Sequence, residues 1–416
     1  MQIGLKSEYM IRKVMNMKKF LALVLAMVMA LGLVACGGGN KTAPETSEPA
    51  PAATPAPATE PAPAAEPTPA AEPATDMMVA MITDYGDITD QSFNQTTYEA
   101  AKSWCEANGV GFTYFKPASD SDDDRISMIE KAIDEGYTVV VMPGYAFGPA
   151  IVATAPEYDD VTFIALDVSA GDLGDGFQVP ANLYCAVYQE ELCGYMAGYA
   201  AVKLGYTKLG FLGGMAVPAV VRYGYGFVQG ADAAAAADGK TDVSLKYAYG
   251  NQFYGDGDIT AAMDTWYADG TEVVFACGGG IFTSAGEAAA KVGGKVIGVD
   301  VDQAPTIDGM YGAGMTVTSA MKGLAATVNT LLTQVKDGTF AGGKVDSLGL
   351  VSATPEENYV QIPMGSTQWS DSFSEADYAA LVADMFAGKI TVSNDITKSA
   401  ADMATTIAVS DLGNIK

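Results

Sequence analysis

Three aspartates, Asp84, Asp167 and Asp300, stand where runs of apolar residues end: Met78 to Ile82, Val161 to Leu166, and Lys295 to Val299. Such a run, closed by a polar residue, reads as a buried parallel strand, and open α/β sheets bind ligands at the carboxyl ends of their strands. A carboxylate there can accept two hydrogen bonds, from a diol or from the N–H groups of a heterocycle. One such Asp is as readily the N-cap of the next helix; three at equivalent positions favour ligand contact. The loop after the first strand also carries Asp87 and Asp90, and leads through Ser92, the expected N-cap, to Phe93 and Asn94. An aromatic beside hydrogen-bonding carboxylates suits a flat, hydroxylated molecule. Lys322 is one of few cations that follow a strand, and a solvated lysine at a helix start is a poor alternative because a helix N-terminus disfavours positive charge.

The elements that must position these residues alternate. Strands are expected at Met78–Ile82, Phe112–Phe115, Thr138–Met142 and Val161–Leu166, with helices from Phe93 and from the acidic cap Ser121-Asp-Asp-Asp-Arg125 between them. A second series has strands at Lys208–Leu212, Val243–Tyr249, Glu272–Ala276 and Lys295–Val299, and helices starting near Ala219, Asp258 and Thr283. This order predicts an α/β fold with two lobes, each a doubly wound parallel sheet. The segment Asn182 to Glu190 reads as the crossing to the second lobe, Met315 to Thr318 as the crossing back, and Met321 to Lys336 as a returning helix. The lobes are therefore expected at 77–184 plus 318–347 and at 185–317 plus 348–416. The helix from Glu191, rich in small residues, is expected to pack closely.

Composition narrows the function. The net charge is −27, which makes nucleic acid an improbable partner. Histidine is absent, and with it Ser-His or Cys-His nucleophilic catalysis. Cys105, Cys185, Cys193 and Cys277 form no C-x-x-C pair, so buried free thiols are favoured over a disulfide framework or a metal site, with a Cys185–Cys193 bridge as the alternative. No cofactor is expected. Gly210-Phe-Leu-Gly-Gly214 is not a dinucleotide fingerprint and Gly278-Gly-Gly280 lacks a phosphate-loop Lys; both are expected to let backbone approach a ligand or the hinge.

Residues 1–36 read as a secretory signal: Lys18-Lys19, an apolar core from Phe20, and Leu33-Val-Ala-Cys36, which is similar to a bacterial lipobox with Cys36 as the lipidated residue. Residues 37–76 are a Pro/Ala/Thr/Glu-rich linker unable to bury a core. At about 3.1 Å per residue in extended form, it would reach up to roughly 100 Å from a membrane.

Asp84 followed by Asp90-Gln-Ser-Phe-Asn-Gln95 resembles the signature of the basic membrane protein (BMP) family, substrate-binding lipoproteins of ABC transporters that include purine nucleoside receptors. The resemblance runs from Met77 to about Gly388, through Tyr188-Gln-Glu190, Arg222-Tyr-Gly-Tyr-Gly-Phe227, Ile297-Gly-Val-Asp-Val-Asp-Gln303 and Thr318-Ser-Ala-Met-Lys322. It implies a type I periplasmic-binding-protein fold, lipid-anchored on the extracytoplasmic face, that is not an enzyme, binds a nucleoside between its lobes, and hands it to a permease with its ATPase. It also implies that Asp84 and Asp300 face ribose or base polar atoms, Asp167 the base, and Lys322 the sugar. A near-terminal aromatic such as Phe93 alone reads as core; the resemblance makes it a stacking ring, opposed by Phe253 or, second, Tyr223. Asn94, Tyr145 and Phe147 are secondary candidates. Gln91 stands where the family commonly has Lys, Tyr98 where a Trp is frequent, and the loops Ala170–Gly176 and Asn251–Asp258 differ. A sugar- or furanose-binding protein of the same fold is the alternative. A calcium-dependent hydrolase is disfavoured, because the chain lacks a compact acidic run. A sensor without transport is a further rival.

Overall fold

Short apolar runs build the framework. The computed structural model describes residues 77–416, which hold two sheets. The first has β1 (Met78–Ile82), β2 (Gly111–Phe115), β3 (Val139–Pro143), β4 (Thr162–Leu166), β5 (Leu183–Tyr188) and β11 (Lys344–Leu348), in the order β11-β5-β4-β3-β1-β2, all parallel. The second has β6 (Lys208–Gly213), β7 (Ser244–Tyr249), β8 (Val273–Cys277), β9 (Lys295–Asp300), β10 (Thr316–Lys322), β12 (Val360–Gln361) and β13 (Ala408–Asn414), in the order β12-β10-β9-β8-β6-β7-β13. Only β12 runs antiparallel to its neighbour. The Val- and Ile-rich central strands are buried throughout, as in Val139–Pro143 and Val273–Cys277, because helices cover both faces. No helix among the described residues is long and apolar enough to cross a membrane.

Two boundaries differ from expectation. Leu183–Tyr188 is a strand of the first sheet, pairing with β4 and β11, so the first crossing follows Tyr188. Leu183, Tyr184, Cys185 and Ala186 are all buried, and only the pairing with β4 and with the distant β11 assigns the run to this sheet. Likewise Met321 and Lys322 end β10 of the second sheet, and the returning helix begins only at Leu324. A lysine at the end of a buried strand looked like the opening of a helix.

Helices α4 (Glu190–Lys203) and α5 (Pro218–Asp238) pack backbone to backbone. A Cβ on Gly194, Gly198, Gly226 or Gly230 would lie 2.0–2.2 Å from a carbonyl oxygen of the facing helix. The small residues of this pair are therefore a packing requirement. Alanine at Gly230 would gain about 1 kcal/mol of helix propensity, but its methyl would meet the Tyr195 carbonyl and force the helices apart. We expect Gly230→Ala to lower the unfolding free energy by about 2 kcal/mol, measured by urea denaturation; unchanged stability would refute the close packing.

Candidate functional site

At the carboxyl ends of both sheets lies a cavity of about 600 Å³. Asp84, Phe93, Asn94, Tyr145, Asp167, Phe253, Asp300 and Lys322 all line it. Its size is that of a small-molecule pocket. Cys36 lies outside the described residues. Phe147 does not join the cavity: it is fully buried in the first lobe's core, because the one-turn helix Tyr145–Phe147 directs it under the sheet end.

Asp167 directly follows β4 and Asp300 ends β9, one in each lobe, and both adopt left-handed backbone, φ 59° and 65°. That conformation is uncommon for residues other than glycine, though Asp and Asn tolerate it best. Neither caps a helix. Asp300 Oδ2 accepts from Ser92 Oγ at 2.7 Å and Oδ1 from the Tyr223 hydroxyl at 3.3 Å. Asp167 Oδ2 accepts from Lys322 Nζ at 2.5 Å, while its buried Oδ1 has no partner. Burial pushes the Asp167 carboxyl up to about 6, against the lowering effect of Lys322.

Lys322 is the electrostatic centre. Its side chain is 3% exposed, and besides Asp167 its Nζ lies 3.5 Å from Asp300 Oδ1 and 3.7 Å from Glu190 Oε1. Burial alone would lower its pKa; Asp167, Asp300 and Glu190 reverse this and raise it, so the ammonium stays charged. The same Nζ lies 4.6 Å from the centroid of the Phe93 ring. Fully buried Glu190 also accepts from Arg222 Nε at 2.7 Å, and Arg222 lines the cavity. Glu190 and Arg222 were legible only as parts of family motifs, since a Glu at a helix start reads as a solvated first-turn acid.

The loop after β1 is built differently from expectation. Ser92 does not cap the helix Phe93–Asn108; its hydroxyl is spent on Asp300. Asp90 takes that place, accepting from the backbone N–H groups of Ser92, Asn94 and Gln95. Asp87 is tied to Thr89 and Lys116 at the surface. Asp84 Oδ1 accepts from the N–H groups of Tyr85 and Gly86, and burial raises its carboxyl above the ordinary range. Gly144 (φ 126°) approaches so closely that a Cβ would sit 2.8 Å from Asp84 Oδ2. Asn94 donates to Asp90, and its buried Oδ1 is unpartnered.

Phe93 from the first lobe and Phe253 from the second are each half-buried. The glycine runs have a role the sequence reading did not assign them: a Cβ on Gly214 would lie 2.4 Å from the Phe253 ring, and one on Gly278 would lie 3.0 Å from it. They form the seat of that ring. Tyr223 is buried and its hydroxyl is bound to Asp300, so it supports a carboxylate rather than opposing Phe93. The four described cysteines are buried free thiols. Among the described residues, no group of three or more His, Cys, Asp or Glu side chains is arranged to hold a metal ion.

Glu191, next to Glu190, is buried with Oε2 unpartnered, and burial pushes its carboxyl up to about 7. A folded-state pKa raised above the unfolded one contributes stability that is present below the ordinary carboxylate range and lost as pH rises through the folded value. Glu191→Gln mimics the protonated form. The melting temperature of wild type relative to this variant should therefore fall between about pH 5 and about pH 8. A constant difference would show that Glu191 does not titrate there.

Comparison with known proteins places this geometry. A family model described as ABC transporter substrate-binding protein PnrA-like matches residues 77–382. The nucleoside-binding ABC transporter protein BmpA of Lactococcus lactis subsp. cremoris is 30% identical over 76% of this chain and 89% of its own length. Basic membrane protein A of Borreliella afzelii is 26% identical over 65% of this chain and 79% of its own. Among solved structures, a solute-binding protein of an Aeropyrum pernix ABC transporter aligns with a TM-score of 0.58 at 20% identity, covering 79% of this chain and 90% of that one. One from Conexibacter woesei aligns at 0.58 and 24%, covering 76% and 99%. At these identities the structures establish the two-lobed fold alone.

Proposed function

Because the chain belongs to the Bmp family of ABC transporter substrate-binding proteins, we propose that its cavity traps a nucleoside, of the purine type, for delivery to a permease and its ATPase. The observation that carries this reading is the pairing of two half-buried phenyl rings, one per lobe, with the carboxylates of Asp84, Asp167 and Asp300 and the Lys322 ammonium around a single cavity. Rings bury and stack on a flat base, while carboxylates accept from base N–H groups and ribose hydroxyls. Asp167 Oδ1 and Asn94 Oδ1, both buried without partners, are acceptors a ligand would satisfy. The name of the Lactococcus relative supports the same ligand class. The ligand is bound unchanged; the residues serve recognition and closure, not catalysis.

The test is calorimetric titration of the unfolded and refolded protein with adenosine, guanosine, inosine, uridine, cytidine and ribose. Purine nucleosides should bind, and Phe93→Ala should weaken them by roughly thirty- to a hundredfold, the cost of losing a stacking anchor. Asp300→Ala should abolish measurable binding, since it strips both Ser92 and Lys322 of a buried partner. Binding of ribose alone would transfer the assignment to a sugar-binding protein of the same fold.

A lipid on Cys36 would hold the protein at the extracytoplasmic face of the membrane through the linker 37–76. Radiolabelled palmitate should enter the wild-type protein and not Cys36→Ser; equal labelling would remove the anchor from this reading.

A further inference from the structure

Gln303 follows β9 in the second lobe, is 1% exposed, and is not among the residues that line the cavity. Its amide is nevertheless fully directed. Oε1 accepts from the Val299 N–H at 2.9 Å, and its own backbone N–H donates to Ser319 Oγ at 3.1 Å. Both bonds lie within the second lobe; one anchors the Gln303 backbone and the other orients its amide. The remaining group, Nε2, donates across the cleft to the backbone carbonyl of Gln91, at 3.0 Å. Gln91 belongs to the first lobe and holds φ 57°, a conformation that glutamine rarely adopts. The next residue makes a second crossing bond, Ser92 Oγ to Asp300 Oδ2. The turn at 91–92 is thus gripped from the opposite lobe immediately before Phe93 and Asn94, which line the cavity.

We propose that Gln303 is a positioning residue of the binding reaction: through the Gln91 carbonyl it locks the Gln91–Ser92 turn when the lobes close, and so holds Phe93 against the ligand. The part concerning Phe93 rests on the nucleoside reading above; the lock itself does not. Its partners belong to different lobes, so the bond breaks when the lobes part. Such a bond slows opening and leaves the encounter with the open form untouched. A backbone carbonyl as acceptor also makes the lock indifferent to the side chain at 91.

The test compares wild type, Gln303→Met and Gln303→Glu in the full-length protein. Methionine keeps the volume and removes both amide bonds. Glutamate keeps the acceptor for Val299 and, in its ionised form, removes only the donor towards Gln91. Stopped-flow mixing with a purine nucleoside should give an unchanged association rate and dissociation roughly tenfold faster in both variants, the effect of losing about one hydrogen bond from the closed state. A merely structural glutamine would lower the melting temperature and leave the dissociation rate as in wild type. Dissociation unchanged in Gln303→Met overturns the proposal while the nucleoside reading stands. If wild type binds no nucleoside, that reading falls and small-angle scattering of the three proteins decides the lock alone. A larger radius of gyration in the variants supports it, and superimposable curves overturn it.

Discussion

An ammonium buried among carboxylates at the junction of two lobes is the constraint on which the rest of this protein depends. Lys322 comes from β10 of the second sheet, Asp300 from the neighbouring β9, Asp167 from β4 of the first sheet, and Glu190 from the helix that follows the crossing. Removing one partner from a buried ion pair costs about 3–5 kcal/mol, because a charge is left uncompensated. Such a cluster is tolerable only if every element that feeds it is held in place. Arg222 offsets part of the negative excess from α5, bonding to the Glu190 oxygen that Lys322 does not approach.

The surrounding architecture can be understood as the means of holding those ends still. The glycine contacts between α4 and α5 bring Glu190 and Arg222 within hydrogen-bond distance, since each helix contributes one of the two residues. Left-handed backbone at Asp167 and Asp300 ends each strand abruptly at the cavity. The rings are treated in the same way. Phe253 rests on Gly214 and Gly278, where any side chain would displace it, and Phe93 follows a turn fastened by Asp90, Ser92 and Gln303. Rigid presentation of a few polar atoms and two flat rings is what a binding protein needs, because ordering the site in advance reduces the entropy lost on binding.

Much of this was legible in the chain. The strand runs could be read from their apolar character and glycine boundaries, and Asp84, Asp167 and Asp300 from their place at the ends of those runs. The close helix contact could be read from Gly194 and Gly198. The misreadings share one cause. Leu183–Tyr188 is placed in the first sheet by pairing with β4 and with the distant β11, and the charge of Lys322 is compensated by Asp167 and Asp300, so local pattern pointed to a crossing and a helix start instead of strands. Ser92 looked like a cap because caps are local, whereas its actual partner, Asp300, is remote.

The amino-acid sequence by itself determined the two alternating α/β series, the excess of negative charge, and which carboxylates and rings stand at strand ends, since all of these follow from periodicity and composition over a few residues. The tertiary structure alone decided which carboxylate pairs with Lys322, that Glu190 and Arg222 belong to the same network, that the glycine runs seat Phe253, and that Gln303 spans the cleft. Those choices depend on distances between residues far apart in the chain, and the burial of a charge or an amide is decided by what the fold brings beside it.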